Sequence, residues 1–174
     1  MLTHVSIGDG VGRIDKGKQD MQFDERRRRY LSLFGDEPVT DNAIEQIESL
    51  LGVVLPEDFK DIASFYSGGI VGGISLHATA TSGQADNISQ ETKTIRAAMG
   101  LPFSMVVLAE PPASLIVLDT NAHAGFPAVI WLDATDVRAL KDISSLRHPQ
   151  TWSSYAEFFD FLLERELEER GEAN

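Results

Sequence analysis

The sequence contains no cysteine, which removes disulfides, thiolate metal sites and thiol nucleophiles at once and makes a reducing compartment the default. Histidine is scarce too. His4, His77, His123 and His148 stand far apart, and no His-Glu-x-x-His arrangement places two ring nitrogens on one helical face. Long apolar runs are also missing: none approaches the about 20 residues that a bilayer-spanning helix needs, and the longest is broken by Pro111 and Pro112. The first eighteen residues, rich in Gly and Asp, lack the apolar centre of a secretion signal. Together these absences predict a cytoplasmic protein with no metal and no other cofactor.

Basic charge is in short supply as well. Fifteen Lys and Arg face 27 Asp and Glu, for a net charge of −12. Phosphate binding needs clustered cations that release counterions, so nucleic acid is not expected as a direct ligand. A protein with a basic surface suits this chain better. The local exception is Arg26 to Arg29. On a helix from about Asp24 to Phe34 these arginines point in different directions, while Phe23, Tyr30, Leu31 and Phe34 form an apolar stripe, so a structural reading is preferred to a phosphate site. The Gly8-x-Gly10-x-Gly12 spacing has no strand before it and no Gly-Lys-Ser or Gly-Lys-Thr after it, which argues against a nucleotide loop.

What is present is a composition able to fold. Hydrophobic residues make up 43% and charged residues 24% of 174 residues, enough for one domain with a real core. Thr40 or Asp41 caps a helix carrying Ile44, Ile47, Leu50 and Leu51 at helical spacing, and Gly52 stands at its C-cap. Pro56 opens a second helix, with Glu57 and Asp58 at the positive end of its dipole, Phe59, Ile62, Ala63 and Tyr66 on its buried face, and Gly68-Gly69 at its end. The acids at the helix start are read as stabilising it in preference to touching a partner.

Short β-like runs follow over Ile70–His77, Ser104–Ala109, Leu115–Leu118 and Ala128–Leu132, with a helix expected over Asn87–Met99. Pro111-Pro112 makes a tight connection, and Asp119 to Pro127 reads as a longer hairpin loop. Asp133 or Thr135 caps a short helical turn. Ser153 or Ser154 caps a last helix with a broad apolar face, whose acid-rich end from about Glu168 opposes the dipole and should fray. The organisation expected is an arm with a helix over residues 1–39, a domain over 40–168 and a frayed acidic tail over 169–174.

Chemistry finds little support in the residues. Tyr66-Ser67-Gly68-Gly69 lacks the leading glycine of a nucleophile elbow and follows a helix where a strand is required. Nothing selects a catalytic pair among the carboxylates. Trp131 and Trp152 are read as core aromatics. No catalytic residue is assigned, and the chain is expected not to be an enzyme.

The stretch Ile44-x-x-Ile47-Glu48-x-Leu50-Leu51-Gly52-x-x-Leu55-Pro56-Glu57-Asp58-Phe59-Lys60-x-Ile62, followed by Phe65-Tyr66-Ser67-Gly68-Gly69, resembles the amino-terminal motif of the SUKH superfamily, a group that includes bacterial immunity proteins. The likeness runs more loosely to Ser154-Tyr155-x-x-Phe158-x-x-Phe161-Leu162. The resemblance implies an α+β fold in which a twisted, mainly antiparallel sheet is packed by an N-terminal helix pair and a C-terminal helix. It also implies an immunity role: binding and neutralising a toxin, often a nuclease or deaminase. A regulatory scaffold of the same fold with a housekeeping partner is the alternative, and an unrecognised hydrolase a third. For partner contact, the acids Glu110, Asp119, Asp133 and Asp136 at predicted strand ends and connections are singled out, against an ordinary solvated-surface role for each.

Overall fold

The computed structural model describes residues 16–83 and 86–172. His4 and the Gly8-x-Gly10-x-Gly12 spacing lie outside the described residues. Five α-helices and six strands follow in the order α1 (Lys16–Leu33), α2 (Asp41–Leu51), α3 (Glu57–Ala63), β1 (Gly69–Val71), β2 (Ile74–Leu76), α4 (Ile88–Met99), β3 (Met105–Ala109), β4 (Ser114–Asp119), β5 (Val129–Asp133), β6 (Gln150–Trp152) and α5 (Tyr155–Glu172). Two 3-10 turns, Ala134–Lys141 and Ile143–Ser145, join β5 to β6.

The strands form one antiparallel sheet in sequence order, β1-β2-β3-β4-β5-β6. This is the α+β class expected. Strands β3 and β4 are near-continuous apolar runs because both their faces are covered. Val106, Leu108, Ile116 and Leu118 join the larger core with the apolar residues of α2, α3 and α5. Val107, Leu115, Val117, Ile130 and Leu132 face the other way, onto Ile95, Leu101 and the 3-10 residues Val137 and Leu140. Alternation along each strand divides one sheet between two cores.

Local signals explain the helix ends. The Thr40 side chain accepts the Ala43 N–H and Gly52 closes α2 in the left-handed conformation; Asn87 and Gly100 do the same for α4. Helix α4 also shields β3. The buried Thr92 hydroxyl accepts the Val107 N–H at 2.9 Å, and Arg96 donates to the carbonyls of Leu51 and Phe103 at 2.8 and 2.7 Å. Thr92 thereby supplies a partner for β3 backbone that β2, which pairs with β3 only at Leu76 and Ala109, leaves unladdered.

Several elements differ from the expectations. The run Ile70–His77 is not one strand but the hairpin β1-β2, turned by Gly72 and Gly73. Any Cβ on Gly72 would stand 2.5 Å from the Leu162 carbonyl oxygen, so the hairpin seats directly on α5. Helix α3 ends at Ala63 rather than at the glycines. Strand β6 has no counterpart in the sequence reading, since Gln-Thr-Trp is too short to show alternation. Helix α5 is described as far as Glu172; Arg170 pairs with Glu166 at 2.8 Å, and the Gly72 N–H donates to the same Glu166 carboxylate.

Helix α1 begins at Lys16, earlier than Asp24, and packs on the domain through Tyr30. The Tyr30 ring is 4% exposed and lies 5.1–5.9 Å from the rings of Phe34, Phe65, Tyr66 and Phe159. The arginines of α1 diverge as a helix requires. Arg26 is held by Asp160, Arg27 by Asp36 and Arg28 by Glu25.

Candidate functional site

A cleft of about 590 Å³ opens between α1, the first turn of α3, the β4–β5 loop and the start of α5. Its construction begins with the Leu55-Pro56-Glu57-Asp58-Phe59 segment. Asp58 Oδ1 accepts its neighbour Phe59 N–H at 3.0 Å, and Oδ2 accepts the Ala156 N–H at 2.9 Å. One carboxylate thus caps two helix starts, satisfying orphan donors on both. At α5, Ser154 accepts the Glu157 N–H while Glu157 accepts from the backbone and hydroxyl of Ser153, a capping-box variant that holds the Glu157 carboxyl below the usual glutamate range. Behind the cleft, Glu48 accepts the Leu55 N–H at 2.8 Å and pairs with Lys60 at 3.0 Å, fixing the α2–α3 link.

The cleft's lining mixes apolar residues with four acids. Glu57, Asp58, Asp61 and Asp119 line it with Arg26, whose guanidinium is bound at both ends by Asp160 at 2.8 and 2.7 Å. Asp61 lies on the exposed side of α3. Partial desolvation, then the charges of Glu57 and Asp58, raise its carboxyl above the usual aspartate range. At the rim, Phe126 is 53% exposed, with the His123 ring 4.4 Å away.

The structure separates the four acids singled out from the sequence. Asp119, at the end of β4, lines the cleft and accepts the Asn121 N–H at 3.0 Å. Glu110, Asp133 and Asp136 lie at the opposite end of the sheet. There Glu110 stands 3.2 Å from His77, and Asp133 caps the 3-10 turn through Thr135. Asp136 pairs with Arg147 at 2.9 Å. Bonds from Thr135 hold the Asp133 carboxyl low, and bonds from Arg147 do the same for Asp136. Phe126 escaped the sequence reading; a large aromatic between Gly125 and Pro127 in a hairpin loop is the signal that marks it.

Trp152 packs on Phe158 and Phe161, and Trp131 donates to the Ser114 hydroxyl, so both serve the core. Among the described residues, no group of His, Asp and Glu is arranged to hold a metal ion, and no helix is long and apolar enough to cross a membrane.

A six-stranded antiparallel sheet with helices on its faces, entered through a helix pair whose Leu-Pro-x-Asp turn is tied to the last helix, defines an α+β domain built around one motif. Comparison with protein families agrees with that architecture: the family described as SMI1-KNR4 cell-wall, SUKH_5, matches residues 23–160, and the chain belongs to it. The matched stretch starts within α1. No curated protein matches the chain. Membership is consistent with an immunity-type or an SMI1-KNR4-like protein, and it points to protein–protein interaction.

Proposed function

We propose that the chain is a non-catalytic, cytoplasmic immunity-type protein that binds a cognate bacterial toxin and neutralises it by steric and electrostatic occlusion. The toxin is one that acts on nucleic acid and so presents a basic surface. The observation that carries the reading is the acid-lined cleft with an exposed aromatic at its rim, on a domain of the SUKH family. A nuclease-like groove is shaped to hold phosphate, and an acidic inhibitor of net charge −12 gains association rate and selectivity against it. Glu110, Asp133 and Asp136, at the far end of the sheet, are a second acidic surface for the same partner.

The alternative is a regulatory scaffold with a housekeeping partner, which the SMI1-KNR4 description also accommodates. Co-purification with the product of the adjacent gene, followed by assay of whether that product is toxic alone and inhibited by the chain, separates the two. A stoichiometric complex with the toxin inhibited supports immunity. Capture of a housekeeping protein with the toxin left unbound and active supports the scaffold and overturns the proposal.

A further inference from the structure

We propose that His77, Glu91 and Glu110 form a proton-operated clamp, which holds the β1–β2 hairpin and the first turn of α4 to the end of β3 while one proton is shared in the cluster and loosens when that proton leaves. The clamp lies at the end of the sheet away from the cleft. It stands or falls independently of the partner that the domain binds.

The hairpin is thinly joined to the rest of the sheet. Strands β2 and β3 share the register pair Leu76 and Ala109, followed by the His77 N–H, which donates to the Leu108 carbonyl at 2.8 Å. One residue further on, the Ala78 carbonyl accepts the Ile88 N–H at 2.9 Å, so the start of α4 hangs from the same point. The His77 side chain is 9% exposed, and its Nε2 stands 3.2 Å from Glu110 Oε2 without the alignment of a hydrogen bond. Charge, in place of a directed bond, holds the ring to the carboxylate, so a proton gained or lost in the cluster changes how firmly the joint is held.

The groups facing this pair are few. From the first turn of α4, the Glu91 carboxyl lies within hydrogen-bond reach of Glu110 and feels the charges of Glu110, His77 and Asp86. On the remaining side the chain runs against Ser67 and Gly68, which bring no charge. Two carboxylates in such contact repel when both are ionised, which favours one proton between them. Partial burial, then the charge of Glu110, raise the Glu91 carboxyl above the usual glutamate range, while His77 pulls it down. A native state that binds this proton more tightly than the unfolded chain gains stability that is full below 4.5 and is lost as pH rises through the Glu91 midpoint. Because the three groups come from the ends of β2 and β3 and from α4, that loss falls on the joint between these elements.

The test follows the full chain by carbon NMR of its glutamate carboxyls and by hydrogen exchange of the His77 and Ile88 amides, corrected for the intrinsic effect of pH on exchange. The Glu91 midpoint is expected above 4.5. Opening at both amides should be about three- to tenfold more frequent above that midpoint than below it. Glu110→Gln should bring the Glu91 midpoint down and His77→Gln should take it up, because the first removes a like charge and the second an opposite one. A merely structural role for either residue would not produce opposite shifts. Glu91→Gln, a neutral stand-in for the protonated acid, should keep both amides at the protected level on either side of the midpoint. Glu91 and Glu110 both keep contact with solvent, so these variants retain the fold. Opening independent of pH in the native chain overturns the proposal, as does an unchanged pH response in Glu91→Gln. Glu91 midpoints that do not move in opposite directions overturn it too; should His77→Gln fail to fold, the Glu110→Gln midpoint decides alone.

Discussion

Asp58 Oδ2 accepts the backbone N–H of Ala156 at 2.9 Å, joining the first turns of α3 and α5 across 98 residues of chain. The acid after Leu-Pro-x is therefore a tie between helices more than a local complement to one dipole. Asp58→Ala should lower stability by about 2 kcal/mol, the scale of a charged hydrogen bond plus a cap. Asp58→Asn, which keeps one carbonyl acceptor, should lose less. Urea unfolding measures both, and an unchanged midpoint for Asp58→Ala would refute the role.

This tie also shows how much could be read without coordinates. Thr40, Gly52, Asn87 and Gly100 act through their own neighbours, so their caps are written locally and are legible. The contact of Asp58 with Ala156, and that of Glu48 with Leu55 and Lys60, depend on where the chain returns in space. The site suffers from the same gap. Asp119 and Glu110 are both acids at strand ends, but the strand direction sends them to opposite ends of the sheet. Phe126 looks apolar in sequence, and only the surrounding fold decides that it faces solvent.

Tyr30 binds α1 to the domain. Its replacement by alanine removes a buried ring in contact with Phe34, Phe65, Tyr66 and Phe159, and should cost about 3–5 kcal/mol. The denaturation midpoint checks this. A loss below that of an ordinary surface substitution would mean that α1 is dispensable to the core.

All three tyrosines of the chain, Tyr30, Tyr66 and Tyr155, are buried. Burial pushes the Tyr30 phenol up to about 12 from 10.0, and raises those of Tyr66 and Tyr155 as well. The unfolded chain then sheds these protons first, so the native state holds more protons above pH 10 and stability falls as pH rises through that value. Tyrosinate absorbance should stay low just above pH 10 and then appear for all three residues together with loss of tertiary structure. Independent titration of one tyrosine at its ordinary value in the folded chain would contradict the packing described.

Two glycines with positive φ separate backbone strain from steric collision. Gly125 (φ 91°) has open space where a Cβ would go, so Gly125→Ala should cost about 1–2 kcal/mol from strain alone. A Cβ on Gly68 (φ 114°) would stand 2.7 Å from the His77 carbonyl oxygen and from the Ala78 Cα. Because those are backbone atoms, Gly68→Ala should be clearly the more damaging. Equal melting temperatures for the two variants would show that the chain yields at Gly68.

The central claim is tested most directly by co-expression. The adjacent gene, tested as the source of the toxin, is induced in a sensitive host, alone and together with the full chain. The account predicts that growth stops with the toxin and returns with the chain present, through a complex whose affinity falls as ionic strength rises. Growth arrest undiminished by the chain, with no complex between the two proteins, would contradict it.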